Sequence, residues 1–315
     1  MIYRLIIMLL MAIISSSVAN AKNCTKKQKY TADQVLLDLQ TNKQRQANLL
    51  SYHMPFGIHE SKVDAPNESL FYQNGFLAMH DPDLKTSLWT SYRLTKVDML
   101  GMKNKKRINC FRTDPRLDKF DAGMSSDYNE AIYDQGHLTS DSDVKDELYD
   151  QLNSYTFVNI SPQHCFFNRG IWLNLEHLTR NLAYKNNEVY VTSGAIFDRN
   201  GSEGRDLDKR AKRMESRNGK SRVAVPSHFY KIILKRNGNQ WSTLSFLLPH
   251  NNQDHGVSWT QAKLYALENI TSLEVIEAKA TIRLFPDLQR KDIIQNGNGW
   301  DLSKAGNGMT GRCKN

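Results

Sequence analysis

Between Asp134 and Glu176 the chain sets down three groups of polar residues in order. They are Asp134-Gln135-Gly136-His137, then Asn159-Ile160-Ser161-Pro162-Gln163, then Asn168 followed at four-residue intervals by Trp172 and Glu176. The third group constrains the fold most. It runs into apolar residues at 171, 172, 175, 178, 182 and 183, the spacing of one buried helical face over Ile171–Tyr184. A helix with one apolar stripe needs a second layer to cover it. Strand-like runs supply that layer: Leu88–Leu94 alternates and is rich in β-formers, and Glu188–Phe197, Ser227–Lys235 and Trp241–Leu248 follow the helix. Asn237-Gly238 reads as the hairpin turn between the last two. A second helix is expected over Trp259–Asn269 and a weaker one over Ala32–Leu50, while the charged, glycine-punctuated stretch Gly201–Lys220 reads as an exposed loop. With no internal repeat and no clear linker, one α+β domain is the simplest assignment.

The two ends read differently. Arg4, the apolar run Leu5–Ile14 and the small-x-small triplet Ala19-Asn20-Ala21 form the pattern of a cleaved export leader over residues 1–21. The apolar run is too short to span a bilayer comfortably. Residues 22–60 are assigned to an N-terminal extension, 61–290 to the main domain and 291–315 to a tail that is irregular from Gln295 onward. The expectation is a secreted or periplasmic protein with no membrane contact after leader removal. Cys24, Cys110, Cys165 and Cys313 are an even count in an exported chain, so two disulfides are expected, with three possible connectivities. Cys24–Cys313 with Cys110–Cys165 is the expected pairing, because it ties together two otherwise loose ends. The scattered cysteines form no Cys-x-x-Cys pair, which argues against zinc. The formal net charge of +9 suits a polyanionic partner. Charge alone would equally suit an exported adhesive or polyanion-binding protein.

Phosphodiester hydrolysis needs an activated water, which suits a histidine because its pKa lies near neutrality. It also needs charge stabilisation at the phosphate and the leaving oxygen, which suits a hard divalent cation; an Asn carbonyl and a nearby carboxylate can serve that ion while water fills the remaining positions. Arginines can hold the phosphate oxygens. On one straight helix Asn168 and Glu176 would stand about 12 Å apart along the axis and about 80° around it. Glu176, leaning toward the helix N-terminus, is therefore expected to reach the ion's water shell rather than the ion. Singly, each residue has an ordinary role: His137 as a packed histidine, Asn168 as a helix cap, Trp172 as core, Glu176 as a solvated side chain. Asp141-Ser142-Asp143 lacks the other ligands of a calcium loop and reads as a solvated acidic turn. His164-Cys165 reads as a disulfide position rather than a nucleophile pair, and His177 and His228 as structural.

Order and spacing together resemble the DNA/RNA non-specific endonuclease family, which includes the endonuclease G type and carries the ββα-metal, or His-Me finger, site. The family pattern is Asp-Arg-Gly-His, Asn-x-x-Pro-Gln and Asn-x-x-x-Trp-x-x-x-Glu. Asp134, Gly136, His137, Asn159, Pro162, Gln163, Asn168, Trp172 and Glu176 match it. Tyr92-Arg93-Leu94-Thr95, Arg107, Phe111-Arg112-x-Asp114, Val189–Gly194 and Val225–Lys231 extend the likeness across roughly residues 70–285. The resemblance implies a ββα-metal fold with a central, mainly antiparallel sheet and flanking helices. It implies cleavage of DNA and RNA with Mg2+, or with Mn2+ or another divalent cation. His137 is then the general base and Asn168 the metal ligand, with Glu176 ordering the ion's water shell and Asn159 supporting the histidine. Arg107 or Arg112 holds the phosphate, and Asp134, Gln135 and Arg169 contribute to substrate binding. One position departs from the pattern: Gln135 stands where the family has arginine, and a neutral amide supplies neither charge nor a bidentate fork. Arg112 or Arg169 could fill that role. The alternative reading is a non-catalytic nucleic-acid-binding protein on a nuclease scaffold.

Overall fold

The computed structural model describes residues 22–64, 67–118, 121–198, 204–215, 222–255, 258–303 and 313. The leader assigned to 1–21, parts of the 201–220 loop and residues 304–312, 314 and 315 of the tail lie outside the described residues. The chain opens with the two-residue strand β1 (Lys22–Asn23) and helices α1 (Lys26–Thr41) and α2 (Lys43–His53). The weak helical signal over Ala32–Leu50 thus resolves into two helices. Asn42 divides them: its N–H donates to Asp38 O, ending α1, and its side chain accepts from Arg45 N at 3.0 Å, capping α2. Ala32, Leu36 and Leu39, fully buried at helical spacing, seat α1 on the rest of the protein.

Strand β2 (Glu60–Ser61) precedes a meander of β3 (Ser69–Tyr72), β4 (Leu77–Asp81) and β5 (Thr86–Thr95), then α3 (Lys96–Gly101) and β6 (Ile108–Asn109). The polar groups follow on β7 (Tyr133–His137), α4 (Leu148–Asn153), β8 (Ile160–His164), the short α5 (Cys165–Phe167) and α6 (Leu173–Asn186). The chain continues through β9 (Glu188–Ile196), β10 (His228–Asn237), β11 (Gln240–Pro249), α7 (Trp259–Glu268), α8 (Leu273–Ala280), β12 (Ile282–Arg283) and β13 (Ile293–Gln295).

Seven strands form one sheet in the order β13-β11-β10-β9-β5-β4-β3, antiparallel except for the parallel pair β11–β13. This is the expected α+β architecture. β10 buries six consecutive residues, Phe229–Leu234, so both sheet faces are covered there. Helices α6 and α8 both pack against β9. The β10–β11 hairpin closes through Gly238-Asn239, one residue beyond the expected pair, because Asn237 still pairs with Gln240; Gly238 takes φ +59°.

The cysteines pair as Cys24–Cys110 and Cys165–Cys313. This corrects the expected Cys24–Cys313 and Cys110–Cys165. β1 runs parallel to β6, with Lys22 opposite Ile108 and Asn23 opposite Asn109, and this brings the Cα atoms of Cys24 and Cys110 to 5.2 Å. The N-terminal end therefore has a partner within the fold, and Cys313 instead meets Cys165 at the entry to α5, with Cα atoms 5.6 Å apart.

Candidate active site

β7 and β8 pair antiparallel outside the main sheet, with Asp134 opposite Gln163 and His137 opposite Ile160, and β8 runs directly into α5. The unit is pinned to β5. Thr86 Oγ1 donates to Ile160 O at 2.9 Å, Ser87 Oγ to Val158 O at 2.5 Å, and Thr139 Oγ1 to Thr90 Oγ1 at 2.8 Å. Gly136 is needed where the two strands close, since a Cβ there would lie 2.2 Å from Gln163 Oε1. Fully buried Asn159 locks the turn after His137: its Oδ1 accepts from Thr139 N at 2.9 Å, and its Nδ2 donates to the carbonyls of Thr139 and Ser154 at 2.8 Å.

The helix entry is not straight. Asn168–Trp172 form a π-turn in which Gly170 leaves helical geometry at φ −100°, ψ −105°, so Asn168 and Glu176 do not share one regular helix. Buried Trp172 donates its Nε1–H to His137 O at 3.0 Å, fixing this turn against β7. Asn168 Nδ2 donates to Asp134 Oδ2 at 2.9 Å, which leaves the amide oxygen as the atom presented to a ligand. Asp134 also takes Arg169 Nε at 2.8 Å and Nη2 at 2.7 Å. Asp134 and Arg169, the two residues assigned to substrate binding from the sequence, pair with each other at 2.7 Å, and Asp134 also orients Asn168.

The His137 imidazole is buried, edge-on to the Tyr155 ring with centroids 4.7 Å apart, and its Nε2 has no hydrogen-bond partner among the described residues. Burial pulls its pKa down to about 4, against the pull of Asp141 and with the help of Arg107. The ring is therefore neutral near pH 7 and able to accept a proton. The Arg107 guanidinium lies 5.6 Å from the centre of the Tyr155 ring and 3.7 Å from Asp141 Oδ2. Tyr155 OH donates to the same Asp141 oxygen at 3.0 Å.

Glu176 is buried, and Ser140 Oγ donates to its Oε2 at 3.0 Å. Burial raises its pKa; Arg180 and Lys231 pull it down, while Asp143 and Asp141 push it up. Arg180 Nη1 donates to Asp143 Oδ1 at 2.7 Å and Tyr92 OH to Asp143 Oδ2 at 2.6 Å. Fully buried Lys231 donates to Ser193 Oγ at 2.6 Å and lies 4.3 Å from the centre of a Trp172 ring. The Asp141-Ser142-Asp143 segment is thus not a solvated acidic turn: both carboxylates are buried because tyrosine and arginine partners satisfy them. Of the groups around Glu176 that the sequence did not single out, Arg180 left a signal, standing one helical turn beyond Glu176.

The family model described as DNA/RNA non-specific endonuclease matches residues 55–284. The chain belongs to that family. It is 29% identical over 243 residues to a protein named mitochondrial nuclease EXOG from Danio rerio, covering 76% of this chain and 65% of that one. It is 26% identical to mitochondrial endonuclease G from Homo sapiens, covering 59% and 61%, and 29% identical to nuclease C1 from Cunninghamella echinulata var. echinulata, covering 57% and 71%. The chain thus spans less than two thirds of the length of the first two relatives. A crystal structure of an EndoG/EndoGI complex shares the fold, with a TM-score of 0.63 at 19% identity, covering 78% of this chain and 95% of that one.

In this member of the endonuclease family Arg112, expected to hold the phosphate, is committed to the protein interior. It is 5% exposed, and its donors go to Asp33 at 2.7 Å, to the carbonyls of Cys110 and Leu152, and to Asn153 Oδ1. Of the two arginines expected to hold the phosphate, Arg107, with a half-exposed side chain, is the one that shares the Tyr155 ring with His137. Gln135 sits opposite Pro162 on β7 and is partly exposed. The Asn168 amide oxygen and the Glu176 carboxylate are hard oxygen donors of the type Mg2+ takes. The group of His164, Cys165 and Cys313 offers no thiolate, because both sulfurs are in the disulfide.

Proposed function

We propose that this chain is an exported endonuclease that hydrolyses phosphodiester bonds of DNA and RNA with Mg2+, or with Mn2+ or another divalent cation. The observation that carries the reading is the buried His137 on the same strand as Asp134, whose carboxylate ties down the amide nitrogen of Asn168. His137 accepts a proton from water. Asn168 and, through ordered water, Glu176 would hold the cation, which when bound supplies charge stabilisation at the phosphate. Arg107 binds phosphate oxygens from its stack on Tyr155, Asn159 keeps the turn after His137 in place, and Gln135 offers hydrogen bonds without charge. Two disulfides and the leader-like N-terminus support export to an oxidising compartment. Among the described residues no helix is long and apolar enough to cross a membrane.

The test is incubation of the protein with plasmid and with RNA, in Mg2+ and in excess chelator. Both substrates should be cut in Mg2+, neither in chelator, and activity should return when the cation is restored. Full activity in chelator overturns the cation-dependent mechanism. Binding of both substrates without cleavage overturns the enzyme reading in favour of a nucleic-acid-binding protein.

A further inference from the structure

The family match begins at residue 55, so α1, α2 and the strand before them lie outside it. This outlying segment is nonetheless built onto the site. Asn23 pairs with Asn109, Cys24 N donates to Asn109 O at 2.9 Å, and the Cys24–Cys110 disulfide closes the junction. Asp33 of α1 is the ion partner of buried Arg112. Ala32 packs in one small cluster with Cys110, Leu152 and Tyr155, and Tyr155 is the ring that touches both His137 and Arg107.

What this junction brings together is positive charge. Lys22 on β1 and Lys26, Lys27 and Lys29 in the first turn of α1 lead into it along one segment of the chain, and Lys103 and Lys106 lead to Arg107 and β6 along the other. All six are exposed, and none forms an ion pair among the described residues. Helix stability does not explain the arrangement: the first turn of α1 holds lysines and no acidic residue, and cations at a helix N-terminus oppose its dipole. Repulsion between neighbouring lysines adds to that cost. An external polyanion relieves both. A nucleic-acid duplex carries one negative charge per about 1.7 Å of its axis, and neutralising those charges releases counterions.

We propose that the N-terminal segment is a second nucleic-acid contact: a lysine strip, continuous with Arg107, that holds the strand flanking the phosphate being cut. The inference rests on the nuclease reading above and deepens it. The strip adds affinity for substrates long enough to reach it and leaves the chemical step alone.

The test is the variant K22Q/K26Q/K27Q/K29Q, assayed on a duplex of about one helical turn (10–10.5 base pairs) and on one several times longer, over a salt series. On the long duplex KM should rise roughly tenfold or more at low salt while kcat is unchanged. The slope of log KM against log salt should become shallower by about 0.9 for each phosphate that the variant no longer neutralises. On the short duplex both constants should match those of the unsubstituted protein. A global loss of charge would weaken both duplexes alike, so equal changes on the two lengths overturn the strip, as does an unchanged long-duplex KM. The melting temperature separates folding from binding and should stay level or rise, because the opposing charges at the helix end are gone. If the unsubstituted protein cuts neither duplex, the nuclease reading fails; if it cuts both and the length effect is absent, the strip fails alone.

Discussion

The seven-stranded sheet and the β7–β8–α6 unit both have a buried interior but are filled differently. The sheet buries Trp89, Val191, Phe229, Ile232 and Leu244, whose removal from water stabilises the fold. The smaller unit buries His137, Asp141, Asp143 and Glu176, and draws Lys231 from β10 and Tyr92 from β5 into the same cluster. Burying charge costs several kcal/mol per ion in real proteins, and pairing only offsets it. The sheet is thus a source of stability, and the unit leaning on it gives up part of that stability to keep a neutral base and paired carboxylates out of water. Burial lowers the His137 pKa to about 4, so the proposed base stays unprotonated over a wider pH range than a solvated histidine would.

The sharpest way to break this comparison is a matched pair of substitutions. His137→Ala should lower turnover by about 10²–10⁴, the usual contribution of a general base, with little change in melting temperature. Trp89→Ala should cost about 3–5 kcal/mol of stability, while the molecules that remain folded keep their turnover. Thermal melts beside plasmid-cleavage rates check both, and near-normal turnover by His137→Ala would place the base elsewhere.

Arg180→Met should blur the boundary between the regions. It leaves Asp143 buried without its cation, a loss of about 3–5 kcal/mol for a broken buried pair. Arg180 also lowers the pKa of Glu176, so its removal should move the acid limb of the pH–rate profile to higher pH. Arg180→Lys should recover part of both effects. A variant with wild-type stability and an unmoved pH profile would show that Glu176 does not depend on this network.

A smaller effect belongs to the sheet side. Burial lowers the pKa values of His53, His59 and His80 to about 4, 3 and 4. A histidine whose folded pKa lies below its unfolded value of about 6.5 contributes stability above that pH. The contribution is lost as pH falls from about 6.5 towards the folded value. Denaturant melts should show this decline, and His80→Gln should flatten it; an identical pH dependence in that variant would exclude His80 as a source.

The smallest effect is expected at Gln135. Gln135→Arg adds one cation near the site, so KM should fall about threefold at low salt and its salt slope should steepen by about 0.9, with kcat unchanged. An unaltered KM would mean that Arg107 already saturates the phosphate.

Periodicity made β5, β9, β10, β11, α6 and α7 legible in the sequence, because each buries a face at a fixed spacing. The three polar groups were legible as a set for the same reason: their order is rigidly tied to two strands and a helix. What escaped depends on long-range contact. Nothing in Lys22–Cys24 announces a partner 86 residues away. Asp141 and Asp143 look solvated until Tyr155, Tyr92 and Arg180 arrive from other elements. Arg112 looks like a phosphate ligand until Asp33 and the Leu152 carbonyl occupy it. The break at Gly170 is hidden because a single glycine leaves the apolar spacing around it intact.

The Cys165–Cys313 link joins positions 148 residues apart, and Cys165 lies three residues ahead of Asn168. A ribosome makes His137, Asn168, Glu176 and every strand of the sheet before it makes Cys313. There is therefore an interval in biosynthesis when all the proposed catalytic side chains exist but the helix entry beside Asn168 is not yet tethered. Translation alone cannot close that interval; oxidation of the two thiols must, so the untethered form comes first.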